Sequence, residues 1–185
     1  MTHQVHRPAA SLRTALFPTA PRETTSKILV SYTNQVPDVR IDAQAVDMAD
    51  ASRAYFGCIY HYVIGTSGRI EVGRDPRTCS PKTRQKRFHK QALFIGVVGG
   101  LSADTGRRIS TITDAQNEAV EWLMQALADT LGVELEVIDH TEHWAASRDL
   151  QSKDLGKAVR SEILEAIYAE MTDEELAASP DRLAA

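Results

Sequence analysis

Apolar residues along this chain follow two periods, and the switches between them outline its elements. The stretch "KILVSY", opening at Lys27, is apolar and rich in β-formers, which predicts a strand. A loop, "VPDVR", separates it from "IDAQAVDMADASRAYF". There Ala45, Val46, Ala49 and Ser52 or Arg53 follow helical spacing behind Asp42 as N-cap, and Gly57 closes the segment. "IYHYVIG" and "RIEVG" are short β-type runs joined by "TSG", a hairpin with Ser67-Gly68 at its turn. "ALFIGVVGG" is continuously apolar, the pattern of a strand covered on both faces, and Gly99-Gly100 ends it. "LSADTGRRIS" reads as a loop or hairpin tip. The clearest helix opens at Thr113, with Gln116 completing a capping box. Val120, Leu123, Leu127 and Leu131 form its apolar stripe, and Gly132 ends it. "VELEVID" alternates as a strand does, and "HTEHWAASRDLQ" is irregular. A last long helix is predicted from Ser152, with Leu155, Val159, Ile163 and Ile167 on one face, then a helical turn opened by Thr172 and Glu175. This order predicts an α/β fold with a central mixed sheet flanked by helices. It also predicts an irregular N-terminal arm over residues 1–26, a domain over 27–170 and a tail over 171–185.

Composition narrows the function classes. With 43% hydrophobic and 25% charged residues the chain is an ordinary globular sequence, and its net charge of −4 gives no global nucleic-acid signature. Charge is concentrated locally instead. "RTCSPKTRQKRFHK", from Arg77 to Lys90, contains no acid and predicts an exposed loop. Its Arg77, Lys82, Arg84, Lys86, Arg87 and Lys90 are candidates for contact with an anionic partner, against the plainer reading of a solvated loop. Two cysteines, Cys58 and Cys79, make no disulfide framework or zinc pair, and Cys58 reads as a small core residue. No run of roughly 18 apolar residues suggests a membrane span. The first residues lack the apolar core of a signal peptide, so a cytoplasmic location is expected.

The candidate chemistry emerges when these pieces are set in order. "YHYVIGTSGRIEVGRD", "FIGVVGG", "ITDAQNEAVEWLMQAL" and "VELEVIDH" together resemble the zinc N-acetylmuramoyl-L-alanine amidases and peptidoglycan recognition proteins, most of all the short phage lysozyme-amidases. The resemblance implies an amidase-like domain in which two histidines and a Cys or Asp hold zinc beside an activated water. It places the catalytic tyrosine at Tyr60, followed by His61, and the first zinc histidine at Ser31. The second ligand falls at His140, or at Asp139 in another register, and the third near Asp149. Arg148 and Lys153 are the basic residues nearest the family's helper group. His140 and His143 also form an H-x-x-H pair.

Serine is a poor zinc ligand, so Ser31 shifts the expectation away from catalysis. Losing even an outer partner of a zinc site lowers affinity about 10–100-fold. Tyr60 and His61 then read as packed, hydrogen-bonded side chains. The expected protein is a zinc-less, degenerate amidase-like chain, endolysin-like and phage-borne in a host cytoplasm, with no cofactor. It would bind a cell-wall ligand or a protein partner. The alternatives are an active zinc-dependent amidase cutting the muramoyl-L-alanine amide, or a nucleic-acid or polymerase-binding regulatory module using residues 77–90. The polymerase partner rests on resemblance alone, since some phage lysozyme-amidases restrain a viral RNA polymerase.

Overall fold

The computed structural model describes residues 3–8, 12, 20–53, 55, 57–81, 90–139 and 149–150, with Asp139, Asp149 and Leu150 as backbone only. The predicted helices beyond Ser152 and the tail lie outside the described residues, as do residues 82–89, His140, His143 and Arg148.

The apolar runs assemble into a seven-stranded sheet in the order β1-β4-β3-β5-β2-β6-β7. Its strands are β1 (Val5–His6), β2 (Lys27–Tyr32), β3 (Tyr62–Ile64), β4 (Ile70–Val72), β5 (Ala92–Val97), β6 (Leu135–Asp139) and β7 (Asp149–Leu150). The centre is parallel, with β5 between β3 and β2, and β2 also paired to β6. The predicted hairpin is present as the antiparallel β3–β4 pair. β5 is buried at every position, as its unbroken apolar run requires.

Strand alternation sorts side chains onto two faces. Ile28, Val30, Tyr62, Ile64, Ile95, Val97 and Val137 meet helix α2 (Asp114–Leu131). Leu29, Val63, Phe94 and Tyr60 lie on the other face, with Ala43 and Val46 of helix α1 (Ala43–Ser52).

Helix α2 starts and stops where its sequence signals stand. Thr113 Oγ1 accepts the Gln116 N–H at 3.1 Å, the Gln116 side chain accepts the Thr113 N–H at 3.1 Å, and Gly132 adopts φ 63°. Gln116 also donates to the carbonyls of Val98 (2.9 Å) and Ile64 (3.3 Å), so the cap ties α2 to the ends of β5 and β3. Thr113 Oγ1 further donates to the Thr66 carbonyl at 2.9 Å. Thr113→Ala is expected to lower the unfolding free energy by about 1–2 kcal/mol, read as a reduced urea midpoint with an unchanged m-value.

Three expectations need correction. The N-terminal arm is not wholly irregular: Val5–His6 pairs in parallel with β4, Leu12 is buried, and Pro21 bridges to Thr78. Helix α1 ends at Ser52, short of Phe56; Arg53 is its C-cap, and the Arg53 guanidinium donates to the carbonyls of Thr33 and Asn34. The regular strand within "IYHYVIG" begins at Tyr62, although the His61 N–H still donates to the Phe94 carbonyl and the His61 carbonyl accepts the Gly73 N–H, both at 2.8 Å. The Phe94 N–H of β5 donates to the His61 ring (2.8 Å) rather than to a backbone carbonyl, so the imidazole takes the place of a rung.

Candidate functional site

Three segments converge at the C-terminal end of β2: the strand itself, β5 and the residues just before β3. Ser31 is the fifth residue of that strand, on the α1 side of the sheet, and the register sets it beside Gly96 of β5. Tyr60, just before β3, lays its ring over Gly96. A Cβ at Gly96 would stand 2.6–2.8 Å from ring carbons, so only glycine leaves space for this ring. The Tyr60 hydroxyl thereby reaches the end of β2. It donates to the Tyr32 carbonyl at 2.9 Å and is hydrogen-bonded to the Ser31 side chain. Both residues are buried, at 1% exposure for Tyr60 and 6% for Ser31. Burial pushes the Tyr60 phenol well above its ordinary pKa, the Asp50 charge adds to this, and the Ser31 bond opposes it.

Tyr60 is held from behind by charges in the core. Asp47 and Asp50 lie on the same stripe of α1 as Val46, and all three are buried. Asp47 accepts the Cys58 N–H at 2.7 Å, and Asp50 accepts the Ile59 N–H at 3.1 Å. Buried Arg74 faces both carboxylates electrostatically and donates from Nε to the Cys58 carbonyl at 3.0 Å. The Arg74 N–H donates to the Tyr60 carbonyl at 2.7 Å. Cys58 is fully buried, its thiol directed at the Tyr60 carbonyl, and burial raises its pKa far from thiolate chemistry. It is the core residue expected.

His61 faces away from this junction. Its Nδ1 accepts the Phe94 N–H at 2.8 Å, which leaves Nε2–H to donate to the Thr78 carbonyl at 2.9 Å. Both ring nitrogens are thus committed and the ring is completely buried. Burial, first, and then the charge of Arg22 pull its pKa down to about 3.

The remaining candidates do not gather at Ser31. Asp139 pairs with Val30, one level before Ser31. Asp149 pairs with Glu136, which pairs with Lys27, so the Asp149 backbone stands at the opposite end of β2 from Ser31. Of the basic segment, Arg77 is paired with Asp75 (3.0 Å from Nε) and Lys90 with Glu23. Lys82, Arg84, Lys86 and Arg87 lie outside the described residues. Among the described residues no three His, Cys, Asp or Glu side chains cluster as metal ligands. Zinc takes nitrogen, thiolate and carboxylate donors, whereas position 31 offers a neutral hydroxyl engaged with Tyr60. The described residues therefore do not fit the metal that the resemblance implies.

The rim of the site is built from two segments. Residues 36–41 lead from β2 to α1 and carry exposed Val36 and Val39, and residues 101–110 fold back on Gly100 and carry exposed Ile109. Tyr32 fastens the second segment, its hydroxyl 2.9 Å from Ser110 Oγ and accepting the Thr111 N–H at 3.3 Å. Gly100, at φ 95°, passes so close to Tyr32 that a Cβ there would be 2.5 Å from Tyr32 Cβ. Sequence reading missed Tyr32, Gly96, Asp47, Asp50 and Arg74 as parts of the site. One signal was available: acids at positions 47 and 50 fall on the stripe of α1 that buries Val46.

The fold recurs in known structures. The endolysin N-acetylmuramoyl-L-alanine amidase LysCS of Clostridium intestinale superposes with a TM-score of 0.56 at 13% identity, over 89% of this chain and 97% of that one. The endolysin of Thermus scotoductus bacteriophage Ph2119 gives 0.55 at 16% identity, over 86% and 97%. Bumblebee peptidoglycan recognition protein SA gives 0.55 at 14%, over 82% and 91%. The chain has the amidase/peptidoglycan-recognition fold. Neither a protein-family model nor a curated protein matches the sequence. Within this fold the α/β architecture expected from the hydrophobic pattern is present, with a mixed sheet and a helix on either face.

Proposed function

We propose that this chain is an amidase-fold protein that binds a peptidoglycan fragment without hydrolysing it. The observation carrying this reading is the hydrogen-bond chain Ser31–Tyr60–Tyr32. In the resemblance, position 31 belongs to a zinc histidine and Tyr60 to the catalytic tyrosine. Here the first is a hydroxyl and the second gives its proton to a backbone carbonyl, so neither supplies a metal bond or a free acid. The cell-wall ligand follows from the company the fold keeps, which includes peptidoglycan recognition proteins of bumblebee and Manduca sexta. Val36, Val39 and Ile109 give the rim the exposed apolar surface that sugar faces and short peptides pack against.

The test uses the full chain. Zinc content is measured on the purified protein, and the protein is then incubated with insoluble peptidoglycan. Expected are far less than one zinc per chain, retention on the pellet, and no release of new amino termini. One zinc per chain, together with amide cleavage that Tyr60→Phe abolishes, would establish the active amidase instead. Failure to sediment with peptidoglycan would remove the cell-wall ligand.

A further inference from the structure

We infer that Tyr32 is a positioning residue for ligand binding, fixing residues 101–110 against residues 36–41 so that the two rim segments present one face. This inference rests on the peptidoglycan-binding reading above.

Tyr32 is the last residue of β2, beside Val97 of β5. Its half-buried side chain packs on the α2 side of the sheet, opposite Ser31. There it meets both ends of the second rim segment. At the entry lies Gly100, at φ 95°, where a Cβ would stand 2.5 Å from Tyr32 Cβ and 2.8 Å from Cγ. At the return, the Tyr32 hydroxyl lies 2.9 Å from Ser110 Oγ and accepts the Thr111 N–H at 3.3 Å. Thr111 closes the ring, since its Oγ1 accepts the Gly100 N–H at 2.8 Å. The Ile109 N–H donates to the Gly100 carbonyl at 3.2 Å, so exposed Ile109 stands between two anchored points.

The same entry is tied to the first rim segment. The Gln35 N–H donates to the Gly99 carbonyl at 3.0 Å, and the Gln35 carbonyl accepts the Leu101 N–H at 3.2 Å. A Cβ at Gly99 would stand 3.6 Å from Pro37 Cγ, so the two rims abut. Val36 follows Gln35 directly, and Ile109 precedes Ser110 directly. Their spacing is therefore set before a ligand arrives, which lowers the ordering cost of binding. Removing the Tyr32 hydroxyl takes a partner from Ser110 and from the Thr111 N–H. It loosens Ile109 relative to Val36 and removes no apolar atom from the core.

The experiment measures sedimentation isotherms of the full chain on insoluble peptidoglycan, with urea midpoints to confirm that each variant is folded under assay conditions. Tyr32→Phe is expected to bind about threefold to tenfold more weakly, the range set by the net strength of a hydrogen bond. Ile109→Ala is expected to weaken binding too, and the double variant to lose less than the product of the two single losses, because Tyr32 acts through Ile109. Ser110→Ala, a substitution at an exposed position, is expected to give a smaller loss of the same sign, and it decides the matter should Tyr32→Phe fail to fold. Undiminished binding by Tyr32→Phe overturns the inference, as do losses that multiply independently. Undiminished binding by Ser110→Ala overturns it as well, because the Tyr32 hydroxyl would then not act through the rim. No retention of the unsubstituted chain overturns the functional reading and this inference with it.

Discussion

Arg74→Met is expected to lower the unfolding free energy by about 3–5 kcal/mol, because it leaves buried carboxylates without their cation. Arg74 is 1% exposed, and the carboxylates it faces, Asp47 and Asp50, are 2% and 1% exposed. Each carboxylate also accepts a backbone N–H, from Cys58 and Ile59 respectively. Those bonds reduce the need for a countercharge without removing it. Asp50 has a second cation, Arg53, at 3.5 Å, but that side chain is 42% exposed and shared with the Thr33 and Asn34 carbonyls. Methionine matches much of the arginine's length and apolar stem, so the loss measures charge and hydrogen bonding more than volume. Arg74→Lys is expected to fall between, since a lysine keeps the charge and lacks the planar fork that reaches the Cys58 carbonyl. Urea unfolding of the three chains checks the order. A loss below about 1 kcal/mol for Arg74→Met would mean that the two aspartates hold residues 58–60 unaided.

Arg74 also marks the division between what was readable in the sequence and what was not. Elements whose signals are local were readable. Thr113, Gln116 and Gly132 encode the ends of α2 within a few residues of themselves, and the β3–β4 hairpin carries its own turn. The unbroken apolar run of β5 encodes its place in the middle of the sheet. Ser31 was legible only against a family pattern, as a residue of the wrong chemistry at a known place. What the sequence concealed depends on contacts between distant segments. Nothing around Gly96 announces a tyrosine ring from residue 60 resting on it. Nothing in "MTHQVHRP" distinguishes a strand from a tail, because the pairing of Val5 and His6 is decided by the open edge of β4. Likewise, Asp149 stands close to the expected place along the chain, yet the β6–β7 register carries it to the far end of β2. The buried acids of α1 were hidden because a charged residue on an apolar stripe becomes tolerable only once its partner, here Arg74, has been located.

The second large effect is loss of stability in mild acid, driven by His61. Its imidazole accepts from the Phe94 N–H and donates to the Thr78 carbonyl, so the native state needs the neutral ring with its proton on Nε2. Protonating Nδ1 would set two donors against each other in a fully buried place. Burial above all, reinforced by the charges of Arg22 and Arg74 and opposed by the Thr78 bond, brings the folded-state pKa down to about 3. In the unfolded chain the same ring titrates at its ordinary value near 6.5. Below that value the unfolded state binds a proton that the folded state refuses. The contribution of His61 is therefore complete above pH 6.5 and shrinks as the pH falls toward about 3, by at most about 1.4 kcal/mol per pH unit. The urea midpoint is expected to be level above neutrality and to decline from pH 6.5 downward, before most carboxylates begin to titrate. The chain has six histidines, so the slope by itself does not identify the residue responsible. His61→Gln does, because glutamine offers one acceptor and a donor but takes up no proton in this range. The variant is expected to be less stable at pH 7, since a planar amide does not span the ring's two contacts equally well. Its decline between pH 6.5 and 4 is expected to be shallower by up to one proton. Equal slopes for both chains would place the acid sensitivity elsewhere, and His61 would then be a packed aromatic residue whose titration does not govern the fold.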